Sequence, residues 1–239
     1  MLTKLCFVLK ALANKALWGF HYYFPPCCVR CEREAVGFLC ADCSALCQDF
    51  GEHCWYCARR VTWVGGICGR CLQQIPPLDA FFVAKRFGAE VREVILAMKF
   101  GRSQPALSVC SGWIRNKALC VDLPQEVVVM ALPLSWLRLS FRGFNQAERL
   151  AKEVALARGL VMKRGILRRR FRVPQSRLHT HAARKRNIQS AFYCVGEVPK
   201  YVLLVDDVAT SGATLHEAAR CLKARGAIWV GALCVAAKG

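Results

Sequence analysis

Tyr201-Val-Leu-Leu-Val-Asp-Asp-Val-Ala-Thr-Ser-Gly-Ala-Thr-Leu215 is the stretch whose reading decides the fold. Five apolar residues, Tyr201 to Val205, have the character of a buried strand and run into two adjacent carboxylates, Asp206 and Asp207. A loop of tiny residues follows, Ala209, Thr210, Ser211, Gly212, Ala213 and Thr214, and an amphipathic helix is expected from Leu215 to Arg225. Small side chains let backbone N–H groups close on an anion, and a helix N-terminus adds partial positive charge, so the order strand–loop–helix builds a phosphate cradle. Carboxylates beside a cradled phosphate suit a sugar phosphate, from whose hydroxyls they accept hydrogen bonds. An ordinary polar turn explains the stretch less well. Two charges at the end of a buried strand are costly without a partner or ligand, and a plain turn favours Asn, Asp, Pro and Gly over Ala-Thr-Ser-Gly-Ala-Thr.

The remaining chain supports an α/β body around that motif. Ala80–Phe87 and Val127–Ala131 have strand character, and Ala227–Ala236 forms another β run. Helices are expected over Glu90–Phe100, Leu107–Leu119 and Gln146–Ala157, with Asn145 as the N-cap of the last. Strands alternating with helices predict a mostly parallel sheet covered on both faces. In such sheets ligands sit at the carboxyl ends of the strands, where 132–143 and 206–214 both emerge.

Cysteine usage separates the first part of the chain from this body. The chain of 239 residues holds 16 cysteines, and eight of them form four Cys-x-x-Cys pairs: Cys28/Cys31, Cys40/Cys43, Cys54/Cys57 and Cys68/Cys71. Each pair makes a knuckle that points two sulfurs at one ion, and two knuckles complete a tetrahedral thiolate site. The pairs imply structural zinc, one ion or two, in a duplicated ribbon whose folding energy the metal supplies. A cross-braced pairing stays open from spacing alone. The expected organisation is an N-terminal amphipathic segment over 1–24, a double zinc ribbon over 25–75, and the α/β domain over 76–239. The segment Met1–Phe24 is apolar but broken by Lys4, Lys10 and Lys15, and lacks the pattern of a signal peptide. Packing on its own domain is its default reading, and peripheral contact with a membrane surface is the alternative.

Charge adds a second theme. Lys and Arg total 35 against 16 Asp and Glu, a formal charge of +19. Ten of these cations and no acid fall between Lys163 and Arg186. Such a run is a solvated face, or it grips phosphates, either of a small ligand or of a nucleic acid whose bases stack on Phe171, Phe192 or Tyr193. Core packing is the stronger expectation for Phe192 and Tyr193.

The order carboxylate–carboxylate–small-residue loop resembles the phosphoribosyl-diphosphate loop of type I phosphoribosyltransferases. Further signals run along nearly the whole chain in order: paired Cys knuckles, Arg142-Gly-Phe-Asn-Gln146, Gln175 before Arg184-Lys-Arg-Asn187, Ala191-Phe192, and Val205 to Thr214. Together they resemble the ComF/GntX family of phosphoribosyltransferase-like proteins associated with natural competence and use of external DNA. The chain departs in placing Ser211 where many members have Thr, and in its long basic, apolar N-terminus.

The resemblance implies a type I phosphoribosyltransferase fold with a zinc-ribbon module, and a cytoplasmic location. It implies that Asp206 and Asp207 hold the ribose hydroxyls of phosphoribosyl diphosphate. Ala209, Thr210, Ser211, Gly212, Ala213 and Thr214 would wrap its 5′-phosphate. Arg142, then Arg138, would meet pyrophosphate, and Arg184 and Arg186 would close over it from a mobile loop. Magnesium would accompany the diphosphate. His179 and His181 read as surface histidines. Three functions follow: a glycosyltransferase of the phosphoribosyltransferase type, a non-catalytic competence factor that binds single-stranded DNA, and an adaptor docking on a competence helicase or channel component.

Overall fold

The computed structural model describes residues 27–61, 66–100, 103–134, 144–170 and 191–238. The N-terminal segment expected over 1–24 lies outside them. The chain divides into two compact units, Met1–Leu46 and Cys47–Gly239. The division falls between the second and third Cys pairs, so the second tetrad of cysteines belongs to the larger unit.

In the smaller unit, the second knuckle runs into the short helix α1 (Ala41–Leu46), whose first turn carries Cys43. Backbone bonds from Cys28 N–H to the Arg33 carbonyl (2.8 Å) and from Val29 N–H to the Phe38 carbonyl (2.9 Å) close the first knuckle. Glu32 adopts a left-handed φ of 61° there.

The larger unit is built on a four-stranded sheet, all parallel, in the order β1-β6-β5-β2. Its strands are β1 (Ala80–Arg86), β2 (Val128–Ala131), β5 (Tyr201–Ala209) and β6 (Trp229–Ala237). Helices α3 (Ala89–Phe100), α4 (Gln104–Leu119) and α5 (Gln146–Arg158) form one layer, with α4 and α5 packed on the sheet. The other face carries α6 (Ala213–Lys223) and a separate antiparallel hairpin, β3 (Leu167–Arg169) with β4 (Phe192–Cys194). Because successive side chains alternate across a strand, Val202 and Leu204 of β5 join Val230 and Ala232 of β6 under Leu215, Ala218 and Leu222 of α6. Burial of both faces explains the unbroken apolar run Val202–Val205.

The second cysteine tetrad is sewn to this sheet. Its helix α2 (Gly69–Gln73) lies between β1 and the third knuckle in sequence. Phe50 N–H donates to the Ala84 carbonyl (3.3 Å), Arg86 N–H to the Gln48 carbonyl (2.9 Å), and Lys85 Nζ meets Asp49 at 2.7 Å. Phe50 and Ala58 are buried in the same core as Phe81 and Leu78. Asp79, just before β1, is fixed on both sides. Its carboxylate accepts from Lys223 Nζ and from Val230 N–H, each at 2.7 Å.

Several expectations shift. Helix α4 starts three residues before Leu107, because the Ser103 hydroxyl caps Ala106 N–H at 3.2 Å and Pro105 suits the first turn. Strand β5 does not stop at Val205. It stays paired with β6 as far as Ala209 opposite Ala237. The run after Lys163 is not all loop, since Arg168 and Arg169 lie in β3. Phe192 is buried as expected, but Tyr193 is exposed, since period-two alternation turns it away from Phe192 and Cys194. Cys120, one residue beyond the end of α4, is exposed.

Candidate functional site

Strand lengths set the site. Strand β2 ends with Ala131 opposite Val205, whereas β5 runs four residues further, so Asp206–Ala209 project past one neighbour while still paired with the other. Alternation sends Asp206 and Asp207 to opposite faces of the strand. Asp207 is 7% exposed and enters the helix layer, where Lys99 Nζ, in the last turn of α3, meets its Oδ1 at 2.7 Å. Gln146, fully buried at the start of α5, donates from Nε2 to the Lys99 carbonyl at 3.4 Å. Asn145 beside it caps α5 through Ala147 N–H and donates to the Leu132 carbonyl just past β2.

Asp206 lies on the other side, register-paired with Cys234. Its Oδ1 accepts the Asp207 N–H at 2.9 Å. Burial, then the charge of Asp207, pushes the Asp206 carboxyl up to about 7. The two carboxylates therefore differ: one is held by a cation, the other holds its proton up to neutrality.

The loop after β5 turns at Gly212, whose φ is 68°. An added Cβ there would come within 3.3 Å of both the Phe81 ring and His216 Nε2, so glycine is required by conformation and by space. Thr210 and Ser211 are exposed. The Ser211 hydroxyl accepts from Ala213 N–H at 3.4 Å, and the first turn of α6 carries no acid. Free N–H groups, hydroxyls and the positive end of an 11-residue helix converge on one small-residue loop. His216, in that first turn, is pushed down to about 4 by burial and then by the charges of Arg220 and Arg70, so it stays neutral. Its Nδ1 is buried and has no hydrogen-bond partner among the described residues. Arg138, Arg142, Arg184 and Arg186 lie outside the described residues.

The eight paired cysteines form two tetrads in chain order, Cys28/Cys31/Cys40/Cys43 and Cys54/Cys57/Cys68/Cys71, with the sulfurs of each within 4.8 Å of one another. That grouping is sequential rather than cross-braced. Zinc–sulfur bonds of about 2.3 Å in a tetrahedron separate sulfurs by about 3.8 Å. Cys31 and Cys40 stand 3.7 Å apart, and Cys57 and Cys68 3.6 Å. The donor sets fit zinc. Burial works to raise the Cys28 thiol, but backbone hydrogen bonds from Cys31, Cys40 and Arg30 outweigh it and bring it to about 6. Burial pushes Cys43 up to about 12 and Cys57 up to about 11. Four neighbouring thiolates need a cation, which is what a bound metal supplies.

Comparison with known proteins gives the chain's relatives. A family model described as "Phosphoribosyl transferase domain" matches residues 147–239. Solved adenine phosphoribosyltransferases from Leishmania tarentolae and Leishmania donovani are 11% and 9% identical, covering 59% and 69% of this chain and 74% and 85% of theirs. Their TM-scores, 0.32 and 0.36, mark a loose likeness. Competence protein F of Haemophilus influenzae is 26% identical over 83% of this chain and 91% of its own. DNA utilization protein YhgH of Escherichia coli strain K12 is 30% identical over 82% of this chain and 89% of its own.

The chain belongs to the ComF family. Its phosphoribosyltransferase fold is the parallel sheet with flanking helices, and the two cysteine tetrads, whose donor sets could hold zinc, precede and enter it. The matched domain begins at α5 and so includes β5, the small-residue loop and α6, but not Lys99. In this ComF family chain, no helix among the described residues is long and apolar enough to cross a membrane.

Lys99 and His216 escaped the sequence reading, and Gln146 was read there only as part of a motif and the start of a helix. A lysine in the last turn of a helix reads as a charge matching the helix dipole, and only the fold brings it to Asp207.

Proposed function

We propose that this chain binds phosphoribosyl diphosphate at the carboxyl end of β5 and acts in the uptake and use of external DNA. The carrying observation is the projection of Asp206–Ala209 beyond β2 into a small-residue loop that turns at Gly212 onto the N-terminus of α6. The backbone N–H groups of 209–214 and the hydroxyls of Thr210, Ser211 and Thr214 hold the 5′-phosphate. Asp206 is the main acceptor for ribose hydroxyls, and Asp207, fixed by Lys99, completes the acidic edge. Arg142 and Arg138 meet the pyrophosphate, with Arg184 and Arg186 closing from the basic run. Magnesium, bound with the diphosphate, neutralises part of its charge. Transfer of the ribosyl group, with pyrophosphate leaving from an oxocarbenium-like carbon, is the reaction this arrangement would serve. The link to DNA rests on the relatives named for DNA utilization and competence.

Thermal denaturation with added ligand tests the site. Phosphoribosyl diphosphate with magnesium should raise Tm most, ribose 5-phosphate less, and inorganic phosphate least, since a ligand bound only by the folded state stabilises it by mass action. Equal shifts from all three would reduce the site to a bare anion cradle.

A second reading is favoured by the exposed cations outside this site. Here the chain is a non-catalytic factor that binds single-stranded DNA, and the sugar-phosphate loop senses a ligand. Turnover separates the two: pyrophosphate release with any acceptor supports the enzyme, and ligand binding without release supports the factor.

A further inference from the structure

A cleft of about 610 Å³ opens at the outer edge of the sheet, between the end of β2, helix α5 and residues 163–167. None of Asp206, Asp207 or the loop 209–214 lines it. Residues 161–163 lie along the free edge of β2, with Val129 N–H donating to the Val161 carbonyl (2.9 Å) and Lys163 N–H to the Val129 carbonyl (3.1 Å). The cleft thus lies on the β2 side of the sheet, and Pro133, Leu134, Phe144 and Asn145 in its lining flank the segment that carries Arg138 and Arg142.

Its rims are charged and its floor is apolar. Arg149 and Lys152 of α5 and Lys163 and Arg164 of the edge segment supply four cations, against Glu148 and Glu153. All four cations are exposed, and none forms an ion pair among the described residues. Met130, Leu134, Phe144 and Ile166 form the apolar part. The lining segment continues directly into β3, where alternation turns Arg168 and Arg170 outward while Leu167 is buried. Across the hairpin, Tyr193 pairs with Arg168 and shares that outward face, and the Arg170 guanidinium lies 5.6 Å from the Tyr193 ring centre.

We infer that this edge, from Arg149 and Lys152 through Lys163 and Arg164 to Arg168, Arg170 and Tyr193, is a track for single-stranded DNA. The inference rests on the DNA reading above and names its surface. Unpaired cations along a path neutralise successive phosphates. An exposed tyrosine, a half-buried phenylalanine and an apolar floor receive unstacked bases without reading their identity. A duplex keeps its bases stacked inside, so it would meet the rims and leave the floor unused.

Fluorescence anisotropy with labelled oligothymidylate on zinc-loaded full-length protein tests this, with a duplex of equal length beside it. Arg149→Glu/Lys152→Glu should weaken single-strand binding by about tenfold or more. Arg92→Glu/Arg115→Glu, the same charge change on exposed positions of α3 and α4, should change it by less than about twofold. The milder Lys163→Ala/Arg164→Ala should lower the slope of log affinity against log salt by about 1.4, from about 0.7 per phosphate contact. Tyr193→Ala should cost about fivefold. Equal losses in the control pair, or equal affinity for duplex and single strand, would overturn the track. Titrating the same variants with phosphoribosyl diphosphate keeps the two sites apart. Retained ligand binding with lost DNA binding supports a separate surface. Wild-type protein that binds the sugar phosphate but no oligothymidylate at low salt overturns the track and leaves the sugar-phosphate site standing.

Discussion

The cysteine tetrads and the carboxyl end of β5 face the same electrostatic problem and solve it differently. Each tetrad gathers four sulfurs within 4.8 Å, and nearby charges ease only part of the repulsion. Arg33 donates to Cys31 at 3.5 Å, Arg30 donates to Cys43 at 3.7 Å, and the rest of the neutralisation calls for a metal. The aspartate pair carries its own solution: Lys99 neutralises Asp207, and Asp206 retains a proton. A site built to hold a resident cation is a scaffold. A site that balances its own charge while leaving an exposed loop beside it is ready for a ligand that comes and goes.

Metal removal should make the largest difference. A strong chelator should abolish amide protection at Cys28 and Val29, since 27–46 has few buried apolar groups and structural zinc contributes about 10–16 kcal/mol of binding energy. Hydrogen exchange reads this residue by residue, and protection that survives chelation would mean the thiols hold the knuckle unaided. Lys99→Met attacks the internal cation and should destabilise the protein by about 3 kcal/mol, because it strands a buried carboxylate. Adding Asp207→Asn should recover most of that loss in denaturant titrations. A cost below about 1 kcal/mol for Lys99→Met would show that Asp207 does not depend on it.

The retained proton predicts a pH signature. Folded protein keeps the Asp206 proton up to about 7, against 3.8 for an ordinary aspartate. Between those values the folded state binds more protons than the unfolded chain, so stability falls as pH rises and levels off above about 7. Asp206→Asn should lack that fall when unfolding midpoints are compared across pH. Parallel profiles would mean Asp206 ionises normally. Gly212→Ala should have the smallest effect on folding, about 1–2 kcal/mol for a left-handed alanine. It should weaken sugar-phosphate binding more than its stability cost alone explains, which ligand titration at a temperature well below Tm can read.

How much of this was legible beforehand depended on range in sequence. The stretch from Tyr201 to Leu215 carries its own strand period, carboxylates and loop, so its role could be read locally. The Cys-x-x-Cys spacing likewise announced two tetrads, and Asn145 its cap. The continuation of β5 past Asp206 was hidden, because two aspartates look like a strand end when the partner strand β6 is out of view. The hairpin was hidden in the same way: Arg168 and Arg169 look solvated until Tyr193 and Phe192 pair with them. Lys99 is distant in sequence from Asp207, and nothing around it in α3 signals a buried pair.

Calorimetric titration of phosphoribosyl diphosphate with magnesium into zinc-loaded protein, beside Asp206→Asn/Asp207→Asn, tests the sugar-phosphate site most directly. Binding by the wild type that disappears in the variant, with both proteins folded, is the expected result. Absence of binding by the wild type, or undiminished binding by the variant, would contradict the assignment of these carboxylates and their loop to a ribose phosphate.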